Sequence, residues 1–199
     1  MSAALPADSA AVLADTARLY LRELAKDDAT LYCDLYCDPE TMRFIGPPLS
    51  PQRAMKSFGK ALRLTQRRPA QWLFMAIVEK TTRQVVGISS IQLHAPNAEI
   101  GVMLCAVSRT HGYGKEITPA LIALAFELLP VDAVWLCASA EHRVAERVAM
   151  GIGFSRGADV MDRDTNGLER AWSIDRHAWD HAQRNLPVSK LTYQLHRST

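Results

Sequence analysis

The sequence predicts an α/β domain built on a mixed, mostly antiparallel sheet. Three strand-like segments, 71–79, 85–94 and 98–107, follow one another with only short turns between them, which is typical of antiparallel neighbours. A glycine-bearing loop and a helical segment, 115–129, then lead to a short apolar strand and a further helix. Strands that come in runs, and alternate only partly with helices, indicate a mixed sheet rather than a doubly wound one.

The chain before these strands is predicted to hold one strand and a first helix. Residues 18–24 alternate well enough between apolar and polar types to form a strand. Asp27 or Asp28 can cap a helix that continues to about Tyr36, because a carboxylate accepts hydrogen bonds from the free N–H groups of a first turn. Asp38-Pro39-Glu40 then restarts a short helical turn.

A basic helix follows a proline break. Gly46-Pro47-Pro48 interrupts the chain, since proline cannot supply the N–H that a continuing helix needs. Ser50-Pro51 starts a helix to about Gln66, with the proline at its favoured first position. The basic residues of this segment, which we expect to form a solvated helix face, are Arg53, Lys56, Lys60, Arg63, Arg67 and Arg68.

The glycine-bearing loop opens a helix with one apolar face. Segment 115–129 carries aliphatic residues at helical spacing, namely Ile117, Leu121, Leu124 and Leu128. Pro119 lies close to the first turn, where a missing N–H costs little, and Pro130 ends the helix. The next segment, 133–138, is fully apolar, as expected of a buried strand.

One more helix, a hairpin and a polar helix complete the predicted order. We expect a helix over 141–150 and strands over 158–163 and 169–174, joined by a turn at 164–167. A polar helix over 177–184 and an irregular tail follow. The predicted order is therefore β-α-α-β-β-β-α-β-α-β-β.

The bulk properties are those of one globular domain. The chain has 199 residues and a formal net charge of +2, so no strong global field favours nucleic acid, which we regard as an unlikely partner. No apolar run approaches the roughly 20 residues that span a bilayer. Residues 1–17 lack the basic region of a signal peptide and are expected to be a flexible lead-in.

The cysteines and histidines give no metal or disulfide pattern. Cys33 and Cys37 have no second ligand pair, and Cys105 and Cys137 lie in apolar segments. We therefore expect reduced thiols, a cytoplasmic protein and no metal.

The most informative segment joins the third of the consecutive strands to the helix at 115–129. It contains Arg109-x-x-Gly112-x-Gly114, which fits neither a P-loop nor the G-x-G-x-x-G dinucleotide fingerprint. The first N–H groups of a helix are free to bind an anion, and glycines let a phosphate approach closely. With charge added by Arg109, His111 and Lys115, the segment predicts a phosphorylated cofactor.

This loop resembles the [QR]-x-x-G-x-[GA] acyl-CoA pyrophosphate loop of the GNAT N-acetyltransferase superfamily. The element order is also that of the GNAT fold, over about 18–175, with 176–199 left as a C-terminal helix and tail. The chain is most similar to the branch that includes ribosomal-protein alanine N-acetyltransferases, a bacterial type. The motifs that carry this likeness are Leu21-Arg22-Glu23-Leu24, Asp38-Pro39-Glu40-Thr41-Met42-Arg43-Phe44-Ile45, Val86-Gly87, Ala98-Glu99-Ile100-Gly101 and Gly153-Phe154.

The resemblance implies acetyl-CoA, or another acyl-CoA, as the donor. It implies that the fourth and fifth predicted strands splay and that the thioester enters the gap between them. The positions implied for pantetheine are main-chain groups of Val102, Met103, Leu104 and Cys105, with the Leu104 N–H polarising the thioester carbonyl. The positions implied for the pyrophosphate are Arg109, Thr110, His111, Gly112, Tyr113, Gly114 and Lys115, to which we add Arg147.

The chemistry needs a neutral amine, so a base must take its proton. Glu99 is the candidate, because several family members carry a base on this strand; the alternative is a structural carboxylate. The chain departs from many relatives in the helix after the fifth strand. The Asn, Ser and Tyr positions of that pattern are His142, Ala145 and Ala149 here, so the usual hydroxyl acid is missing. His142 or Ser139 is the candidate substitute.

The resemblance favours an N-acetyltransferase that moves an acetyl group to a primary amine by direct attack. The acceptor is left open between a protein N-terminus, a lysine and a small amine, and the protein between a monomer and a homodimer. The missing hydroxyl acid favours one alternative, a non-catalytic acyl-CoA-binding sensor or partner subunit. The basic helix leaves open an attraction for an acidic acceptor or for the 3′-phosphate of the cofactor.

Overall fold

The computed structural model describes residues 12–67, 69–161, 167–185 and 193–195. Its strands are β1 Val12–Thr16, β2 Leu19–Glu23, β3 Trp72–Glu79, β4 Val85–His94, β5 Asn97–Leu104, β6 Ala133–Ser139, β7 Ser155–Met161, β8 Leu168–Asp175 and β9 Tyr193–Leu195. Its helices are α1 Ala29–Cys37, α2 Pro39–Met42, α3 Pro51–Thr65, α4 Tyr113–Leu128, α5 Arg143–Ile152 and α6 Arg176–Asn185.

The strands form a single mixed sheet in the order β7-β8-β6-β5-β4-β3-β2-β1-β9. The β5–β6 pair is parallel, whereas all other neighbours in this sheet run antiparallel. The prediction of a mixed, mostly antiparallel sheet is therefore confirmed. The parallel pair arises because α4 crosses over between the two strands, as a parallel connection requires.

The parallel strands β5 and β6 separate after a short region of pairing. They pair at Asn97–Ala133, Ala98–Val134 and Glu99–Trp135 only. Beyond Glu99, β5 stays with β4 as far as Leu104, while β6 stays with β8 as far as Ser139. This V-shaped opening, here called the splay, is the gap that the family resemblance implies between the fourth and fifth predicted strands.

The sheet has two covered faces. One face packs on α4, whose Ile117 and Leu121 are fully buried against a core that includes Ile91 and Ile100. The other face packs on α1 and α3, where the members of a second core are Leu24, Tyr32, Leu35, Met42, Phe58, Ala61, Phe74, Ile88 and Met103. Because side chains alternate along a strand, odd-numbered residues of β5 face α1 and α3, and even-numbered ones face α4.

The two ends of the chain differ from the sequence prediction. Residues 12–16, expected within a flexible lead-in over 1–17, form strand β1, where Leu13 and Ala14 are buried. The C-terminal region, expected to end in an irregular tail, supplies β9, which pairs with β1. Burial of apolar side chains explains β1, although Ala11-Val12-Leu13-Ala14 is too short a signal to identify from sequence. Residues 1–11 lie outside the described part of the chain.

Several predicted helix ends are close to the observed ones. Ser50 caps α3 as expected, accepting a hydrogen bond from the Arg53 N–H at 3.4 Å. Asp28 precedes α1, but its carboxylate does not cap the helix; it binds Arg22 instead, with two N–O distances of 2.8 Å. The second hairpin forms with β7 starting earlier than expected, at Ser155. The predicted turn residues 164–166, and Arg68 of the basic helix, lie outside the described residues.

Candidate active site

The start of α4 offers free main-chain donors beside the splay. Gly112 adopts a left-handed conformation, with φ 77° and ψ 10°, after a 3₁₀ helix over Ala106–His111. The Glu116 N–H makes the first turn's bond back to the Gly112 carbonyl, at 3.3 Å. The N–H groups of Tyr113, Gly114 and Lys115 precede that bond, so helix geometry leaves them for an outside partner.

The surface in front of these donors has room for an anion. A Cβ added to Gly114 would meet no protein atom within 4 Å. Thr110, His111 and Lys115 are exposed around it, and Arg147 is exposed on α5. A left-handed glycine, free N–H groups and nearby cations together fit a phosphate group, as the sequence predicted for this loop.

Arg109 has a different immediate role from the one predicted for it. Its Nε donates to the Leu104 carbonyl at 3.2 Å and its Nη2 to Thr41 Oγ1 at 2.5 Å. The half-buried guanidinium therefore ties the 3₁₀ helix to the end of β5 and to α2. This charge was predicted at the rim of a phosphate site, but its hydrogen bonds make it a support for the loop.

Glu116 joins the start of α4 to the β1–β2 turn. Its carboxylate accepts from Thr16 Oγ1 at 2.6 Å, from the Arg18 N–H at 2.8 Å and from Arg18 Nε at 2.7 Å. Burial raises the pKa of Glu116, but these hydrogen bonds and the Arg18 charge outweigh burial and hold the pKa below its ordinary value. The carboxylate therefore anchors the start of α4 to the β1–β2 turn.

The main chain of β5 divides the predicted pantetheine positions into two kinds. Cys105 donates its N–H to the Val86 carbonyl at 2.9 Å. In an antiparallel pair, every second residue directs both its N–H and its C=O at the neighbouring strand, which is β4 here. Met103 therefore also bonds to β4. Val102 presents both of its main-chain groups to the splay, whereas Leu104 presents its N–H, because the Leu104 carbonyl already accepts from Arg109 Nε. Pairing of pantetheine with Val102 and Leu104 stays a prediction. The prediction was wrong for the N–H groups of Met103 and Cys105, because the sheet uses them.

A groove lies on the α1–α3 side of the sheet, next to the splay. It encloses about 340 Å³. We call it the aromatic groove. The residues that line it are Tyr32, Tyr36, Ser57, Lys60, Ala61, Leu64, Trp72, Phe74, Ser90, Gln92, Glu99 and Gly101. Tyr32 stacks on Tyr36 with ring centroids 4.5 Å apart, and Trp72 stacks on Phe74 at 5.6 Å. The walls are therefore aromatic and the far end carries a carboxylate.

Glu99 lies at the meeting point of the aromatic groove and the splay. It is the last β5 residue that pairs with β6, and its carboxylate lies 3.3 Å from Nε2 of His94. Burial raises the pKa of Glu99, while His94 lowers it to a smaller extent, so the net shift is upward. A carboxylate with a raised pKa is a better proton acceptor than an exposed one.

A second carboxylate lies beyond Glu99 on the same face. The Cys137 thiol of β6 donates to Glu169 Oε2 of β8 at 3.2 Å. Burial, followed by the hydrogen bond to Glu169, raises the pKa of the Cys137 thiol to about 12. The thiol is therefore protonated at neutral pH and is no nucleophile.

His142 and Ser139 flank the open end of the splay. His142 precedes α5, where its Nδ1 accepts from the Ala145 N–H at 3.4 Å, and its ring stacks on Phe44 with centroids 4.6 Å apart. Burial and then Arg109 lower the pKa of His142, so the ring is neutral at neutral pH. Ser139 Oγ accepts from the Glu141 N–H at 3.3 Å. Both side chains have structural partners in the β6–α5 turn.

The structure adds groove residues that sequence reasoning did not assign to a site. Tyr32 and Tyr36 read as ordinary helix residues, although their spacing of four places both rings on one face. Trp72 of β3 also lines the groove. Trp172 is buried core, with 1% of its surface exposed.

No group of three or more histidine, cysteine, aspartate or glutamate side chains within the described part of the chain has a metal-binding arrangement. No helix of that part of the chain is both long and apolar enough to cross a membrane.

Comparison with known proteins gives a consistent family. A family profile described as an acetyltransferase (GNAT) domain matches residues 18–155. No curated protein matches at a significant level. Many solved structures do match, all of those cited below at low identity, so they support the fold.

Three of these structures illustrate the range. A GNAT-family acetyltransferase from Bacillus anthracis has a TM-score of 0.70 at 16% identity, over 83% of this chain and 99% of its own. Spermidine N-acetyltransferase from Vibrio cholerae, solved with CoA and spermine, gives 0.71 at 13%, over 81% and 98%. RimL, a ribosomal L7/L12 alpha-N-protein acetyltransferase, gives 0.72 at 14%, over 86% and 98% in its apo form.

Proposed function

Because the chain belongs to the GNAT acetyltransferase family, we propose that it transfers an acetyl group from acetyl-CoA to a primary amine held in the aromatic groove. The observation that carries this proposal is the position of Glu99. Its carboxylate stands where the aromatic groove meets the splay, between the expected acceptor and the expected donor.

The donor side rests on the start of α4 and the end of β5. The diphosphate of acetyl-CoA is proposed to accept hydrogen bonds from the N–H groups of 113–115, with His111 and Lys115 adding charge. The pantetheine arm is proposed to run along the splay and pair with the main chain of Val102 and with the Leu104 N–H, in place of the missing strand neighbour. The Leu104 N–H is then the donor that polarises the thioester carbonyl.

The acceptor side uses Glu99 as the base. An ammonium group has no lone pair, so Glu99 must take its proton before or as the amine nitrogen bonds to the acyl carbon. The carbon–sulfur bond then breaks, and the electron pair leaves with the CoA sulfur. The nitrogen loses its second proton as the amide forms, and that proton ends on the CoA thiolate, which gives the free thiol. Burial of Glu99 favours this role, because a raised pKa brings the base closer to neutrality.

No strong acid is needed for the departing thiolate. His142 is neutral, since its pKa is lowered, and its Nδ1 already accepts a hydrogen bond. The proton of a neutral ring is then on Nε2, which can donate a hydrogen bond but is a weak acid. Ser139 can offer a hydroxyl in the same way. We propose hydrogen-bond support from these two residues rather than proton transfer.

The experiment is a screen for release of free thiol from acetyl-CoA over peptide N-termini, lysine peptides and small amines. Calorimetry with CoA is run in parallel. Thiol release with one class of amine, together with CoA binding, supports the proposal. CoA binding with no thiol release from any amine would indicate the non-catalytic alternative, and absence of CoA binding would contradict both.

A further inference from the structure

A line of cations runs along the exposed face of α3 and reaches the aromatic groove. Arg53, Lys56, Lys60 and Arg63, here called the basic stripe, recur at spacings of three and four, so they lie on one side of the helix. All four are exposed. The helix contains no acidic residue, and its opposite side, with Ala54, Phe58 and Ala61, is buried.

The basic stripe has no internal counter-charge. Within the described residues, none of the four side chains takes part in an ion pair. The whole protein has a formal net charge of only +2, so four uncompensated cations on one helix are a local concentration of charge. Clustered like charges of this kind favour association with an oppositely charged partner.

Lys60 connects the basic stripe to the proposed acceptor site. It lines the aromatic groove together with Ser57, Ala61 and Leu64 of the same helix. The lining of the aromatic groove therefore carries charges of both signs, the partly buried Glu99 carboxylate and the exposed Lys60 ammonium. A matching acceptor presents an amine at one end and negative charge further along.

The length of the basic stripe points to a polymer. Arg53 and Lys60 are seven residues apart, which is about 10 Å along a helix. An extended polypeptide covers that distance in about three residues. A polypeptide can also supply a primary aliphatic amine, from its N-terminus or from lysine, whereas the polyanion RNA has none.

We propose that the acceptor is an acidic polypeptide whose amine enters the aromatic groove while acidic side chains two to five residues away lie on the basic stripe. This inference rests on the proposed function and adds the class of acceptor to it. The attraction is electrostatic and exposed, so added salt weakens it.

The test compares three peptides that share a free N-terminus and the same first two residues, and carry glutamate, glutamine or lysine at positions 3–6. Wild-type protein is expected to favour the glutamate peptide in kcat/KM by about tenfold or more over the glutamine peptide. The preference shrinks as salt is raised. A fourth peptide, with a blocked N-terminus and one lysine among glutamates, tells a lysine acceptor from an N-terminal one.

The variant is Arg53→Glu with Lys56→Glu, and the matched control is Lys26→Glu with Arg184→Glu. Both changes alter net charge equally, but Lys26 and Arg184 are exposed cations outside α3. The stripe variant is expected to lose the preference for glutamate, mainly through KM, while the control keeps it. Equal rates with all three peptides, or an equal loss in variant and control, would overturn the inference.

A binding arm separates this inference from the proposed function. Fluorescence anisotropy follows a labelled, N-acetylated glutamate peptide, which cannot react further. Binding that is lost in the stripe variant supports the surface whether or not thiol is released. Failure of thiol release with every peptide would contradict the proposed function. Absence of glutamate-peptide binding would overturn the inference that the acceptor is an acidic polypeptide. Binding of a poly-uridine RNA to the basic stripe, with no binding of the glutamate peptide, would also overturn it.

Discussion

The carboxylate of Glu99 lies 3.3 Å from Nε2 of His94, where strand β5 begins to leave β6. The two residues sit on neighbouring strands, because β4 and β5 pair antiparallel through the turn that follows His94. Burial raises the pKa of Glu99 and the imidazole lowers it. The pair therefore sets how readily Glu99 takes a proton, and His94 acts on the reaction through Glu99.

Replacing Glu99 with glutamine should remove the base without removing the donor site. We expect Glu99→Gln to lower kcat by about a hundredfold or more, since glutamine cannot accept the amine's proton. Affinity for acetyl-CoA should stay within about twofold, because the side chain lies on the groove side of β5. Steady-state thiol release and calorimetry measure the two effects. Asp180→Asn, at an exposed carboxylate on α6, is the control, and an unchanged kcat in Glu99→Gln would rule out this base.

Removing His94 should move the acid limb of the pH profile. Since His94 lowers the pKa of Glu99, His94→Leu leaves burial unopposed and the pKa of Glu99 rises further. Glu99 then loses its unprotonated form at a higher pH, so the acid limb of kcat/KM shifts upward. The measurement is a pH–rate profile with one saturating acetyl-CoA concentration. A shift to lower pH would contradict the assignment, and the same substitution made in Glu99→Gln should produce no shift.

Alanine substitutions at Gly114 and Gly112 should distinguish an effect on CoA binding from an effect on protein stability. At Gly114, within the first turn of α4, an added Cβ has free space in the protein. Gly114→Ala should therefore raise the free energy of unfolding by about 0.5 kcal/mol through helix propensity. The same methyl group stands in front of the N–H groups proposed to bind phosphate, so the Kd for CoA should rise about tenfold. Urea unfolding and calorimetry report the two quantities.

Gly112→Ala is the matched comparison. Its φ of 77° is in the left-handed region, which costs alanine about 1 kcal/mol or more. This variant should be less stable than the wild type, whereas Gly114→Ala should be more stable. Unchanged CoA affinity in a stable Gly114→Ala protein would contradict the phosphate site at this loop.

Sequence reasoning predicted the elements that carry a strong local signal. β4 matches its predicted range, and α3 starts at Ser50-Pro51 as expected, because proline and hydroxyl chemistry fix a helix start locally. β1 and β9 were missed because both are short. β1 pairs with β2 on one side and with β9 on the other, and the pairing with β9 joins distant parts of the chain. Non-local pairing leaves little mark on a five-residue segment.

The candidate site was predicted in outline and corrected in detail. Gly112, Gly114 and Glu99 lie where the loop motif and the strand position indicated. The side-chain direction of Arg109 depends on Thr41, which is 68 residues away, so no local pattern could give it. The aromatic groove likewise needs α1 and α3 to pack together over β3 and β4, an arrangement set by tertiary contacts.

A buried ion pair at the start of the α1 region should dominate local stability. Arg22 and Asp28 have side-chain exposures of 9% and 2%, and share two hydrogen bonds of 2.8 Å. Asp28→Asn removes the carboxylate charge from beside the buried guanidinium, so we expect a loss of about 3 kcal/mol in the free energy of unfolding. Urea unfolding measures it. Asp27→Asn, at the exposed neighbouring carboxylate, should change stability by under about 0.5 kcal/mol, and equal effects would argue against the pair.

Glu116 should make the stability of the protein fall in acid. Its pKa is below the ordinary value because Thr16 and Arg18 hydrogen-bond to the ionised form, against the upward effect of burial. A carboxylate with a depressed folded-state pKa stabilises the protein above its unfolded pKa, near 4.5, and this contribution is lost as pH falls through the folded-state value. Glu116→Gln should therefore lower the free energy of unfolding at pH 7 by about 1 kcal/mol and flatten its decline below about pH 4.5.

Urea midpoints at several pH values measure both effects, with Glu141→Gln at an exposed carboxylate as control. A Glu116→Gln curve that runs parallel to the wild type through the acid range would show that the link between α4 and the β1–β2 turn contributes no pH dependence.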